Sequence, residues 1–487
     1  MRVLFVSSEV YPLIKTGGLA DVSGALPRAL VELGHDVRIL MPGYPQALEA
    51  ATDKREVANL GVPLGAGETR LIEARTPDGG VPLLLIDCPA AYARGGGPYQ
   101  DGAGRDWPDN PVRFGLLGWV AAVLSQPTTP LGWVPDILHG NDWQAGLAPA
   151  FLHAWGGPRP ATVSTIHNIA YQGRFPADTV ARLGLPWSMY TIDGLEFWGG
   201  MSFLKAALAY SDQITTVSPT YAREIQTPAF GCGLEGLLAH RAADVTGILN
   251  GADYGVWNPS SDPHLAQRYQ PAEPEGKLAN KLALQGEVGL DRDGGAPLAI
   301  VVSRLNDMKG MDLLLAALPT LIGQGAQLAV LGTGDAHLEA EFQAAAQANP
   351  GRIAVRIGYD EGLALAVLGT GDALLMPSRA EPCGLTQIYA FRYGTLPVVH
   401  QTGGLADTVV DSTYDTLLAG TATGFVFEQP TASALRWCLE RAVSLYRQPE
   451  QWRRIRLSAA AQDFAWRRSA ERYQRLYAAL VAAKEGR

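Results

Sequence analysis

An α/β protein with two doubly wound parallel sheets is what this sequence predicts, and three observations carry that expectation. Short apolar runs of strand length alternate with helical periodicity along most of the chain. The length, 487 residues, exceeds what one hydrophobic core organises, so two domains are expected. The stretch TGGLAD occurs twice, at 16–21 and at 402–407, each time after an apolar strand and at the start of a helical pattern. That repeat points to two similar domains, each with a glycine turn at the carboxyl edge of its sheet, where open α/β sheets bind ligands.

The first strand is expected at 3–7, a continuous apolar run suited to the middle of a parallel sheet. A loop to Lys15 and the first glycine turn lead into a helix over about 19–33, which Gly34 ends; the next strand is 37–41. Residues 51–110 are less regular, with hairpin-like strands at 69–75 and 81–87 and a glycine-rich loop at 95–97. Periodicity returns in an apolar helix at 112–124. A short strand at 137–139, the pair Asn141–Asp142, another helix and a strand at 162–167 follow. Then come a helix at 203–209 and strands at 213–217 and 247–249. From 259 to 295 the composition shifts to Asp, Glu, Gln, Gly and Pro, with room for one helix, which sets a domain boundary near 247–258. A second series has strands at 298–302, 327–331, 353–357, 373–376, 396–399 and 425–427. Long helices close the chain, at 432–446 and from 451 onwards. The last, 470–483, carries Tyr473, Leu476, Tyr477 and Leu480 at helical spacing, a stripe for packing on one of the domains.

Composition narrows the function classes. Hydrophobic residues make up 47% and charged residues 18%, a globular balance. Net charge is −9 with no basic tract, which argues against nucleic acid as a partner. Cys88, Cys232, Cys383 and Cys438 lie far apart with no CxxC pair, which argues against zinc or a disulfide framework and suits a reducing cytoplasm. The N-terminal apolar run is too short for a signal peptide and is interrupted by Glu9, and no run approaches a membrane span.

The chemistry gathers between Asp372 and Thr408. Pro377 ends a strand, a polar turn with Glu381 at its tip follows, and a helix is expected from near Cys383. The next strand leads to the second glycine turn, Gly403–Gly404. One carboxylate and two sets of helix N-terminal N–H groups are thus expected at neighbouring strand ends, an arrangement suited to phosphate. After the strand at 298–302, Arg304 and Lys309 lie five residues apart, a planar fork and a point charge that suit a diphosphate; alone they would read as surface cations. His167 also stands at a strand end. A lone histidine is often structural, but Asn168, Tyr171, Gln172 and Gly173 beside it make a hydrogen-bonding cluster of the kind sugars need. Lys15 precedes the first glycine turn. Tyr99, Trp107 and Asp109 are candidates to stack on or bond a sugar; Asn141 and Asp142 are equally explained as helix caps. Tyr359, near Arg356 and Gly358, is a candidate base-stacking ring or a core residue. No GxGxxG after a strand, no GxxxxGK[ST] and no GxSxG occurs, so no dinucleotide cofactor is expected.

Six stretches carry a family resemblance: KTGGLADV at 15–22, HNIAYQG at 167–173, TTVSPTYAREI at 215–225, GLEGLL at 233–238, SRLNDMKGMDLL at 303–314 and PSRAEPCGLTQ at 377–387. Together, in this order, they resemble bacterial glycogen synthases and the related plant starch synthases. The resemblance implies a GT-B fold, two Rossmann-like domains with the active site in the cleft between them. It implies an N-terminal acceptor-side domain over 1–247, a nucleotide-sugar domain over 248–466, and a final helix, 467–487, that packs back on the first. It implies transfer of glucose from ADP-glucose to the non-reducing end of an α-1,4-glucan with retention, and no cofactor or metal. The catalytic residues by motif are His167, Arg304, Lys309 and Glu381. Substrate contacts fall on Lys15, Gly17, Gly18, Asp21, Tyr99, Asp142, Asn168, Asn250, Tyr359, Cys383, Gly384, Leu385, Thr386, Gly403 and Gly404. Three positions depart from the pattern. Ala380 stands where an aromatic residue is common, and His400–Gln401 where basic residues often precede TGG. Tyr389 stands where many related transferases have a second glutamate, so ribose recognition by a carboxylate is not carried over.

The mechanism the resemblance implies is front-face attack, in which the departing phosphate takes the acceptor proton. The residues offer no clear nucleophile for a double displacement. A hinge near Asn250 and Ala465 is expected to close the cleft. A glucan phosphorylase-like enzyme and a non-catalytic glucan-binding protein are the remaining classes. The joint presence of Lys15, Arg304, Lys309 and Glu381 argues against the latter. Oligomeric state is not legible.

Overall fold

The computed structural model describes every residue except 271, 272, 274, 359 and 487. The chain forms two compact units, Met1–Gly251 with Trp466–Arg487, and Ala252–Ala465.

The sheet of the first unit has the spatial order Val245–Gly247, Gln213–Thr216, Ala161–Ile166, Ile137–Asn141, Arg2–Val6, Asp36–Pro42, Pro82–Asp87, Arg70–Arg75 and Thr52–Asn59. Pairing is parallel from the first of these to Pro82–Asp87, and the last two strands add an antiparallel edge. Arg2–Val6 is buried after its first residue, which is why it reads as an unbroken apolar run. The chain runs from it to Asp36–Pro42 on one side and returns to Ile137–Asn141 on the other. Its carboxyl end is therefore the point where strand order reverses, and the loop with Glu9, Lys15 and Gly17 leaves from there. Thr52–Asn59 was not expected as a strand. Its sequence, TDKREVAN, is half charged and mostly exposed, as suits a sheet edge that must not pair further.

The second unit has six parallel strands in the order Ile353–Ile357, Gln327–Gly332, Leu298–Val302, Ala373–Met376, Leu396–His400 and Phe425–Phe427. The order reverses between Leu298–Val302 and Ala373–Met376, so the loops bearing Arg304, Lys309 and Glu381 leave neighbouring strand ends. The helix expected from near Cys383 starts instead at Thr386 and runs to Arg392. Gly384 adopts φ +67°, and a Cβ there would strike the Gln387 side chain, so the residues before Thr386 form a turn.

The last helix, Trp466–Glu485, belongs to the first unit and packs on helix Gly18–Glu32. Tyr477 Oη lies 2.6 Å from His139 Nδ1, and Ser469 Oγ donates to the Leu249 carbonyl at 2.6 Å. Lys484 donates to the Pro160 carbonyl at 2.6 Å and pairs with Asp212 at 3.3 Å. No helix among the described residues is long and apolar enough to cross a membrane.

Candidate active site

In the first unit the chemistry sits at three adjacent strand ends. Beyond Arg2–Val6, Lys15 Nζ pairs with Asp21 Oδ1 at 2.8 Å and lies 5.3 Å from the Tyr11 ring centre. Gly17 caps the helix Gly18–Glu32, and a Cβ built on it would meet nothing within 4 Å. The outer side of this turn is open, and the first N–H groups of a fifteen-residue helix stand beside it.

Ile137–Asn141 and Ala161–Ile166 are neighbours, with Asn141 opposite Thr165, so their ends bring Asn141–Asp142 against His167–Asn168. Asp142 Oδ1 accepts the backbone N–H of His167 at 2.7 Å and of Asn168 at 3.4 Å. It makes no side-chain cap on the turn that follows it, which removes the helix-cap explanation. Its φ of +54° is left-handed, a strain that a non-glycine residue accepts only where its position matters. Burial pushes its carboxyl up to about 7; the two N–H donors oppose that rise, and the nearby Glu9 adds to it.

Asn141 Nδ2 donates to the Val6 carbonyl at 3.0 Å, which leaves its Oδ1 to accept from His167 Nε2 at 3.0 Å. The His167 proton therefore sits on Nε2, and Nδ1 is left as an acceptor. Burial lowers the pKa of this imidazole to about 3, so the ring is neutral near pH 7.

Tyr99 donates to Glu9, and its ring packs near Phe114 and Trp143 at 5.7 and 6.3 Å. Trp107 donates to the Gly97 carbonyl, and Asp109 forms a two-point pair with Arg94 at 2.8 Å. Both hold their own loop. Asn250 is buried next to the end of the unit's first segment.

In the second unit Lys309 Nζ lies 2.5 Å from Glu381 Oε2. Asn306 sets the height of that lysine by accepting its backbone N–H at 3.0 Å. Ser378 Oγ donates to the same carboxylate at 3.0 Å, and Glu381 is only 7% exposed. Arg304 is exposed in the loop before. Arg379 faces elsewhere, gripping both Asp312 oxygens at 2.6 Å.

The second glycine turn packs on this loop. Gly404 N–H donates to the Glu381 carbonyl at 3.1 Å. A Cβ on Gly403, whose φ is +44°, would stand 1.9 Å from that carbonyl oxygen, and one on Gly404 would stand 2.0 Å from that of Cys383. His400 supports the turn from below, with Nδ1 2.8 Å from the Ser378 carbonyl and Nε2 3.1 Å from that of Glu428. Gln387, fully buried, ties the Cys383 and Gly384 carbonyls together through Nε2 at 3.0 and 2.9 Å. Cys383 is buried in this turn, Leu385 precedes the helix, and Thr386 opens it. Tyr389 stacks on Trp257 at 3.8 Å and 5°. Tyr359 lies outside the described residues.

Sequence reasoning missed Glu9, Ser378 and Gln387 as parts of these two constellations. Glu9 left one signal, a charged residue in an apolar N-terminal run; the other two lie in the quoted PSRAEPCGLTQ stretch without standing out in it.

Residues 2–240 match the family described as starch synthase catalytic domain, and residues 288–456 match glycosyl transferases group 1. A glycogen synthase of Paramagnetospirillum magneticum is 61% identical over 100% of this chain and 99% of its own. One from Nitrosospira multiformis is 51% identical over 99% of this chain and 98% of its own. Among solved structures, the catalytic domain of starch synthase IV from Arabidopsis thaliana, bound to ADP and acarbose, superposes with a TM-score of 0.89 at 30% identity, covering 99% of both chains.

Proposed function

The chain belongs to the glycogen synthase family, and from that membership we infer a glucosyltransferase that moves glucose from ADP-glucose to the non-reducing end of an α-1,4-glucan with retention. The observation that carries this reading is the 61% identity to a glycogen synthase over the full length of both chains. A cytoplasmic setting fits the four free cysteines.

In the reaction, the bond from glucose C1 to the diphosphate oxygen breaks and a bond from C1 to the acceptor O4 forms. The acceptor hydroxyl proton leaves on the departing phosphate. Positive charge grows on the sugar and negative charge on the ADP. Fixed cations and N–H groups aimed at the leaving oxygens stabilise that change more than water would.

Arg304 and Lys309 take the diphosphate in this scheme. Lys309 already faces Glu381 at 2.5 Å, so a diphosphate drawn to it shares the cation with that carboxylate. Glu381 in turn answers the charge on the sugar. The N–H groups from Cys383 to Thr386 hold the phosphate or the sugar. Gly403 and Gly404 act by shaping that turn. In the first unit, Lys15 and the Gly17–Gly18 turn approach the donor, with Asp21 fixing Lys15. His167 offers Nδ1 to a glucose hydroxyl. Being neutral, it adds no positive charge beside the reacting carbon. Asp142, Asn168, Tyr99 and Asn250 complete the sugar side.

The donor assignment is tested by competition. ADP-glucose and UDP-glucose at equal concentration are offered with glycogen, and labelled glucose is counted in the polymer. A pocket built for one base edge leaves polar groups unpaired with the other, at about 1–3 kcal/mol each, so a preference for ADP-glucose of about tenfold or more is expected. Equal incorporation would overturn the ADP assignment, and no incorporation from either donor would overturn the transferase reading.

A further inference from the structure

Glu9 is 2% exposed, and among the described residues its side-chain partners are all uncharged donors. Thr16 Oγ1 donates to Oε1 at 2.6 Å, the Thr16 backbone N–H donates to Oε2, and Tyr99 Oη donates to Oε1. The Glu9 backbone is held as well. Ser7 Oγ donates to its carbonyl at 2.7 Å and accepts from Ser23 Oγ, on helix Gly18–Glu32, at 2.8 Å. One buried carboxylate thus joins the end of the first strand, the loop that carries Lys15 and Gly17, and the segment that carries Tyr99.

A buried acid is costly unless its hydrogen bonds are satisfied, and three donors fix the direction of these two oxygens closely. Two of the three come from Thr16, the residue between Lys15 and Gly17. The outer face of Gly17 is open, so the chain itself does not set the height of that turn from outside. It is set from behind, by Glu9.

We propose that Glu9 is the positioning residue of the donor loop: its bonds to Thr16 aim Lys15 and the Gly17–Gly18 N–H groups at the nucleotide sugar, and its bond to Tyr99 locks that loop to the sugar side of the unit. This rests on the glucosyltransferase reading. Glu9 itself touches no substrate. Its effect therefore falls on donor affinity rather than on the chemical step.

The chemistry of the side chain supplies the control. Glu9→Ala removes all three bonds. Glu9→Gln keeps them, because its oxygen can accept from the Thr16 N–H while its amide donates to the two hydroxyls, which turn to accept.

The experiment measures ADP binding by calorimetry, and KM and kcat for ADP-glucose, in the full chain. Glu9→Ala is expected to weaken ADP and raise KM by about tenfold or more, with a smaller fall in kcat; Glu9→Gln restores both to within about threefold. A merely structural role would lower the active fraction, and so kcat, with Kd and KM unmoved; that result overturns the proposal, as does a Glu9→Gln variant no better than Glu9→Ala. If Glu9→Ala does not fold, Thr16→Val decides. It removes one bond, is expected to weaken ADP about three- to tenfold, and overturns the proposal if its affinity is that of the wild type. Wild-type protein that binds ADP but transfers no glucose sinks the glucosyltransferase reading while the Kd comparison still tests Glu9. Wild-type protein that binds no ADP overturns both.

Discussion

Glu381 shares Lys309 and Ser378 within 3.0 Å, and its side chain is almost fully enclosed, so its charge acts at short range in a medium that screens little. Glu381→Gln keeps the size and the bond from Ser378 but removes the charge. We expect kcat to fall about a hundredfold or more, with KM for ADP-glucose changed less than about threefold, because the charge acts on the transition state. Steady-state kinetics decides, and an unaltered kcat would make Glu381 a turn residue. Its place was legible in the sequence because a strand, a proline and a helix pattern bracket it. Glu9 was not legible in this way. Its partners are Thr16 and Tyr99, the second ninety positions away, and no local pattern announces a contact of that span. The neutrality of His167 and its tautomer were equally hidden, since the first follows from enclosure and the second from the way Asn141 is turned.

At the level of elements, most strands and long helices were legible because apolar runs and helical spacing record burial directly. The charged edge strand Thr52–Asn59 was not, since an exposed edge has no apolar face to record. The repeated TGGLAD was legible as a pair of helix starts, but its two copies do different work. Around Gly17 there is open space, whereas Gly403 and Gly404 touch the backbone of the Glu381 turn. Identical letters therefore predict opposite sensitivities. Gly17→Ala is expected to leave the urea midpoint unchanged and to weaken the donor. Gly403→Ala, at the position that matches Gly17, pushes a methyl group into the Glu381 carbonyl and is expected to cost about 1–3 kcal/mol and to lower kcat by displacing Glu381. Denaturant melts and kinetics on the two variants check this, and equal stability losses would sink the distinction.

For the molecule as a whole, stability against acid follows from a few buried groups. His139 is enclosed between Tyr477 and Thr165, and burial lowers its pKa to about 3. The unfolded chain takes up a proton below about pH 6.5 that the fold refuses, so stability falls as pH drops through that range, by about 2 kcal/mol at pH 5 for this site. His167 acts in the same direction. Asp142 opposes them, because its raised carboxyl binds a proton in the fold first. Urea midpoints at pH 7 and pH 5 should therefore fall with acid, and His139→Gln should remove about 2 kcal/mol of that dependence; an undiminished slope in the variant counts against the assignment. The same Tyr477–His139 contact lies on the segment that closes the first unit. Ala252 and Ala465 form a parallel bridge where the chain enters and leaves the second unit, while Gly251 lies against Trp466 in the first. The second unit is thus an insertion between two parts of the first. During synthesis on the ribosome, the first 251 residues emerge early but lack the helix that covers His139, and the whole inserted unit is translated before that helix appears. Of the two units, the one whose synthesis starts earlier is completed later.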